Sequence, residues 1–178
     1  MLMLPATVLT LLQVTDAEDA YQAIVDDEFV DEGQPCVFWV DWREDEQDIV
    51  LYVESILRTG SLHSEVVECG SELGYEMYIS LFDRREQVPL VGDVADRHHA
   101  LVTLNRILHP EHEIRWCVDS DGSDTLAFVV LPNSAWMEAE EQFPDAVRRR
   151  FGKIYGRPNL FTDSPSAIRA SLNLSNGP

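Results

Sequence analysis

The sequence predicts an α+β domain built on a mainly antiparallel, at most mixed, sheet with helices packed on it, and three observations carry this. Apolar residues recur at helical spacing in several segments; short apolar runs of strand length are bounded by Gly, Pro, Asn and Asp clusters; and the two kinds of segment are mixed without the strict alternation that builds a parallel sheet. With 178 residues, 45% hydrophobic and 25% charged, the chain has the apolar content for one domain with a core that needs no disulfide staples. That domain is expected over 1–156, with a tail rich in Pro, Ser and Asn over 157–178.

In chain order, Pro5 sits near the first turn of a short helix that packs Leu4, Val8, Leu11 and Leu12. Residues 1–14 are too few to span a bilayer and lack a basic n-region and an Ala-x-Ala site, so they read as part of a cytoplasmic protein. Thr15 with Glu18 makes a capping-box pattern, followed by Ala17, Ala20, Tyr21, Ile24 and Val25 at helical spacing, with Glu18, Asp19, Asp26 and Asp27 on the other face. After Gly33, Gln34 and Pro35, residues 36–40 form a continuous apolar run of the kind expected in a buried central strand. Residues 44–57 return to helical period through Ile49, Tyr52, Val53, Ile56 and Leu57, and Gly60 is the expected stop.

Residues 65–69, 75–82 and 88–91 read as strands, separated by Gly70-Ser71 and by a turn over 83–86. In the middle one, Tyr75, Met77, Ile79 and Leu81 face one way, Glu76, Tyr78 and Ser80 the other. Asp93 or Asp96 caps a helix reaching Leu108, closed by His109-Pro110. Residues 113–119 and 125–131 around Ser120, Asp121, Gly122 and Ser123 give the clearest hairpin signal in the chain. Asn133 or Ser134 caps a helix through Trp136, Ala139 and Phe143, and Pro144 opens another through Val147, Phe151 and Ile154. A short helical turn is expected over 167–172.

The net charge of −19 is unevenly placed. Residues 16–54 hold fourteen carboxylates and one base, Arg43; residues 1–100 carry 22 acids and five bases, whereas residues 101–178 carry ten acids and eight bases. Such a field repels nucleic acid and anionic membranes and attracts a basic protein. Cys36, Cys69 and Cys117 show no CxxC spacing and lie in or beside apolar runs, as thiols of a reducing compartment do.

No catalytic motif is complete, so the chain reads as a non-enzyme without cofactor or metal. The run Asp119, Asp121, Gly122, Asp124 resembles the start of a calcium loop, but the twelfth position from Asp119 is Val130, where a bidentate Glu is required; a hairpin turn is the better reading. His98, His99, His109 and His112 lie near Asp96, Glu111 and Glu113 without a metal-binding signature, and His98 shares a helix face with Val94, Leu101 and Asn105, where a hydrogen-bonded core or border histidine is commoner. Gly70 to Gly74 is not GxSxG. Asp41, between Trp39 and Trp42 at the end of an apolar strand, is a strand-end functional candidate, with a cap or an Arg43 partner as the plainer reading. Arg148, Arg149, Arg150 and Lys153 form the only basic cluster; the Arg150 stem is expected to pack and its head to meet acids of the first half.

In size, acidity and lack of catalytic parts the chain resembles the immunity proteins of interbacterial toxin systems, such as those served by type VI secretion. The resemblance implies a cytoplasmic inhibitor that binds and neutralises a basic toxin, a nuclease above all, by protein–protein contact. The docking surface expected from the charge is Asp26, Asp27, Glu28, Asp41, Trp42, Glu44, Asp45, Glu46 and Asp48, with aromatic anchors supplying short-range energy. The alternatives are an acidic adaptor or scaffold, compatible with a homo-oligomer, whose charge serves solubility, and a metal-dependent enzyme using Asp41 or the histidines.

Overall fold

The computed structural model describes residues 4–26 and 35–171 of the chain. Helix α1 (Ala6–Gln13) starts behind Pro5 and buries Val8, Leu11 and Leu12. Helix α2 (Ala17–Asp26) is capped by Asp16 rather than Thr15: one Asp16 carboxylate oxygen accepts from the amides of Glu18, at 2.8 Å, and Asp19, at 3.4 Å, the second and third of the helix. Strand β1 (Val37–Asp41) leads to helix α3 (Glu46–Leu57). The expected stop at Gly60 comes earlier, at Arg58, which adopts φ +51° while its amide donates to the Glu54 carbonyl at 2.7 Å. The Glu54 carboxylate then accepts from the Thr59 hydroxyl and the Gly60 amide, closing the end.

Strands β2 (His63–Glu68), β3 (Tyr75–Leu81) and β4 (Arg84–Val88) form one antiparallel sheet. The turn expected over 83–86 is only Phe82 and Asp83, and the charged residues after it belong to β4. Their charge is tolerated because they face solvent, where Arg85 lies over the Tyr78 ring at 3.6 Å and pairs with Glu65 at 2.9 Å. Helix α4 (Asp96–Leu108), strand β5 (His112–Cys117), a 3₁₀ turn (Val118–Ser120) and strand β6 (Thr125–Pro132) follow, the last two strands joined in the expected hairpin. Helices α5 (Asn133–Gln142) and α6 (Pro144–Arg150) come next. Phe151 does not continue α6; it opens β7 (Phe151–Lys153), pairs with Cys117 and packs edge-on against Trp136 at 5.0 Å.

The second sheet has the order β1-β6-β5-β7 and is antiparallel throughout. It is covered on both faces. From β6, Leu126, Phe128 and Val130 enter one hydrophobic cluster with α3, α4 and the β2–β4 sheet, while Ala127, Val129 and Leu131 enter another with α1, α2, α5 and α6. Residues 36–40, expected at the centre, therefore lie at an edge, and β6 is central. Both strands read as continuous apolar runs because a strand covered on its two faces loses the alternation that marks a half-exposed one.

Helices α3 and α4 lie between the two sheets. This buries α4 nearly all round although its sequence is polar, and several of its polar side chains find partners inside: the Asn105 side chain donates to the Ile114 carbonyl at 2.9 Å and accepts from its amide at 2.7 Å. Asp96 accepts from the amides of Val91 and Gly92. Gly92 sits at φ +85°, a left-handed conformation that favours glycine, and a Cβ there would also push on the end of the Leu73 side chain 2.7 Å away, so a larger residue strains the loop before α4.

The boundary drawn at residue 156 does not mark the edge of the core. Leu160, Phe161 and Ile168, the last on helix α7 (Pro165–Ser171), are buried in the first cluster. Phe161 stacks on Phe128, and the Asn159 side chain donates to the Ala95 carbonyl. Few apolar residues in a Pro- and Ser-rich stretch suffice, because each is large and placed to fill one gap.

Arg150, 3% exposed, ties the second cluster together. Its guanidinium pairs with Asp119 and donates to the main-chain carbonyls of Val14, at 3.0 Å, and Asp16, at 3.2 Å. The stem packs as expected, but the paired acid belongs to the second half of the chain; the first half contributes carbonyls only. Arg150→Ala leaves the Asp119 carboxylate buried without its cation, and chemical denaturation should show a loss of about 3 kcal/mol or more. Arg148→Ala, on the exposed side of α6, should stay within about 0.5 kcal/mol of the parent. Equal effects of the two would contradict this role.

Candidate protein interface

The strand–helix corner after β1 is built by hydrogen bonds among the predicted acids themselves. Asp41 accepts from the Arg43 amide at 2.7 Å, so its Arg43 partner is main chain and not guanidinium. Glu44 folds back on the strand end: one carboxylate oxygen accepts from the Asp41 amide at 2.7 Å, and the other from the Tyr52 hydroxyl at 2.5 Å. That hydrogen bond to a carboxylate, with burial adding to it, pushes the Tyr52 phenol up to about 12. Asp45 is exposed at the N-cap position of α3, and Asp48 lies one turn on, close enough to act on Tyr52. Trp42 is 38% exposed and packs edge-on against Phe161 at 5.2 Å.

Not all the predicted residues converge. Asp41, Glu44, Asp45 and Asp48 share one corner, whereas Glu46 turns toward the start of α4. Burial raises the Glu46 carboxyl, with the positive charge of Arg97 opposing it. Asp26 ends α2, exposed, and accepts from the Gln22 amide side chain at 2.7 Å. Because α2 packs into the second cluster and α3 into the first, the two acidic helices cover opposite faces of the sheet. Asp27 and Glu28 lie outside the described residues.

One electrostatic fact sets this region apart. Among the described residues, every ion pair uses an acid from Glu65 onward; the carboxylates described within 16–54 have none. A groove of about 450 Å³ runs beside β1 between the strand and α3, lined by Trp39, Asp41, Glu44, Tyr52, Ser55 and Ile56 among others, with no basic side chain in its wall. Periodicity assigned Tyr52 to the helix core and gave no reason to single out Ser55; the groove exists because β1 is an edge strand, which the apolar run concealed.

The other candidates resolve into structural roles. In the hairpin turn, Asp119 pairs with Arg150 and Asp121 with Arg169, at 2.6 Å, so two of the carboxylates of the calcium-like run already hold cations of the chain. His98 is buried; its Nε2 faces the Tyr155 carbonyl at 2.7 Å and its Nδ1 accepts from the Leu160 amide at 3.4 Å, a pattern that fixes a neutral ring. His109 and His112 line a different cleft of about 700 Å³ with Val102, Asn105, Arg106 and Tyr155. Among the described residues no three His, Cys, Asp or Glu side chains are grouped to hold a metal ion. Cys36 and Cys117 are buried, while Cys69 is half-buried and donates to the Ser71 hydroxyl. Among the described residues, no helix is long and apolar enough to cross a membrane.

No protein-family model, curated protein or solved structure matches the chain. The reading of this corner therefore stands on its geometry and charge.

Burial holds His98 below its ordinary value of 6.5, and His112 is lowered by the same cause. The unfolded chain takes up protons as pH falls through that value while the buried rings resist, so their contribution is full above it and declines below it. Unfolding free energies measured between pH 7 and 5.5 should fall more steeply for the parent than for His98→Gln. Equal slopes would show that His98 is not held neutral.

Proposed function

We propose that this protein is an acidic inhibitor that binds a basic protein, a secreted bacterial toxin of the nuclease class, and neutralises it by direct contact. The observation that carries the reading is the set of carboxylates within 16–54 that have no counterion in the described molecule, concentrated beside an apolar groove at the corner of Asp41, Glu44, Asp45 and Asp48. Unpaired surface acids cost a protein self-repulsion, and a cationic partner removes that cost on binding. A field of this sign accelerates association by ~10- to 10³-fold, and the half-exposed Trp39 and Trp42 offer rigid apolar contact once the surfaces meet. A largely apolar groove whose only charged wall residues are the acids Asp41 and Glu44 favours this over a surface whose charge serves solubility alone, which needs no apolar groove beside it.

Co-expression with a basic toxin encoded beside it tests the proposal. The protein should restore growth, and Asp45→Lys/Asp48→Lys should abolish protection and slow association at least tenfold at low salt, with the difference shrinking as salt screens the field. Glu138→Lys/Glu141→Lys, equal in charge change but on α5 across the sheet, should protect like the parent. Equal loss in both variants, or in neither, would overturn the localised docking surface.

A further inference from the structure

The hydrogen-bond phase of β1 says which main-chain groups face the groove. The Val130 amide donates to the Cys36 carbonyl at 3.0 Å, and the register sets Val37 opposite Val129, so even-numbered residues of β1 bond to β6 and odd-numbered ones turn outward. The outward phase is confirmed at the strand end, where both main-chain groups of Asp41 are taken by Glu44: its carboxylate accepts from the Asp41 amide and its own amide donates to the Asp41 carbonyl at 3.2 Å. Between these points Trp39 presents an N–H and a C=O away from β6, and no described residue bonds to either.

An outward-facing edge beside an apolar groove fits an extended peptide, whose main chain bonds to the edge and whose alternate side chains point to one side. The side chains on the groove's wall, Asp41 and Glu44, are anionic, Asp48 acts on Tyr52 beside them, and no basic residue lines it. We infer that the groove receives an extended segment of the partner bearing arginine or lysine at alternate positions, laid along β1 and hydrogen-bonded to the main chain of Trp39. Glu44 limits the added strand, since it already occupies the edge at Asp41, so the contact is short and depends on charge as well as on main-chain bonds. This inference rests on the reading of the acidic corner as a docking site for a basic protein, and adds the form in which that partner arrives.

The test uses the full chain and two synthetic peptides: an eight-residue alternating Arg-Val peptide, and the same sequence N-methylated on alternate residues, which keeps every charge but cannot donate its main-chain hydrogen bonds along one edge. Titration at low salt should give the unmodified peptide an affinity roughly tenfold or more above the methylated one, the worth of one or two main-chain hydrogen bonds. Its binding should slow hydrogen exchange at the Trp39 amide. Equal affinities, or an unchanged Trp39 amide in the bound state, would overturn strand addition while salt-sensitive binding of both peptides left the charge-based reading standing. If neither peptide binds, strand addition also falls, and protection by the full chain against the toxin decides the broader reading separately.

Discussion

The guanidinium of Arg150 holds the corner between α1 and α2 against the β5–β6 turn, meeting one carboxylate and two carbonyls in a space that admits almost no water. The same device recurs. Arg115, 2% exposed, lies over the Trp136 ring at 4.2 Å and pairs with Glu113 and Glu140, and Arg169 fastens α7 to the hairpin turn through Asp121. A buried guanidinium needs anionic partners at close range, because removing one partner leaves a charge in a poor medium. Each of these arginines therefore fixes the position of acids from the second half of the chain.

That commitment shapes the surface. Thirteen bases serve 32 acids in this chain, and the buried and cross-strand pairs draw on acids from Glu65 onward. The carboxylates described in 16–54 are left to solvent and to hydrogen bonds with amides and hydroxyls. Their uncompensated field is thus a consequence of how the core is tied, and it falls on the two helices that cover opposite faces of one sheet edge. Among the buried arginines, Arg97 is the one without an ion pair: it is 9% exposed, and its charge reaches Glu46 across the α3–α4 seam without a contact pair.

Much of this was legible in the chain. The helical periods of α1, α2 and α3, the β5–β6 hairpin and the alternation of β3 follow from spacing alone, because each pattern reports burial of one face. The sequence was silent where burial is two-sided or polar. Residues 36–40 and 126–131 look alike as apolar runs, yet one is an edge strand and the other central, since which strand has a second neighbour depends on long-range pairing. In α4, the polar Asp96, His98 and Asn105 do not by themselves mark burial, but each side chain answers a main-chain group of a packed segment. Leu160 and Phe161 were hidden by the Pro- and Ser-rich composition around them. At the candidate interface, the acids and both tryptophans were visible in the sequence, whereas the groove and the inward turn of Glu44 were not, because they arise from the edge position of β1.

The central claim is that the carboxylates described within 16–54 form no ion pair, whereas eight of the later acids do. Comparing the unfolding free energies of Asp26→Asn/Asp45→Asn and Asp121→Asn/Glu140→Gln at low salt tests it most directly, since Asn keeps the N-cap preference of Asp at position 45. The account predicts that the first pair leaves stability within about 0.5 kcal/mol or raises it. It predicts that the second pair, which strips partners from Arg169 and the buried Arg115, lowers it by about 2 kcal/mol or more. A comparable loss in the first pair would contradict it, since those acids would then hold partners inside the fold.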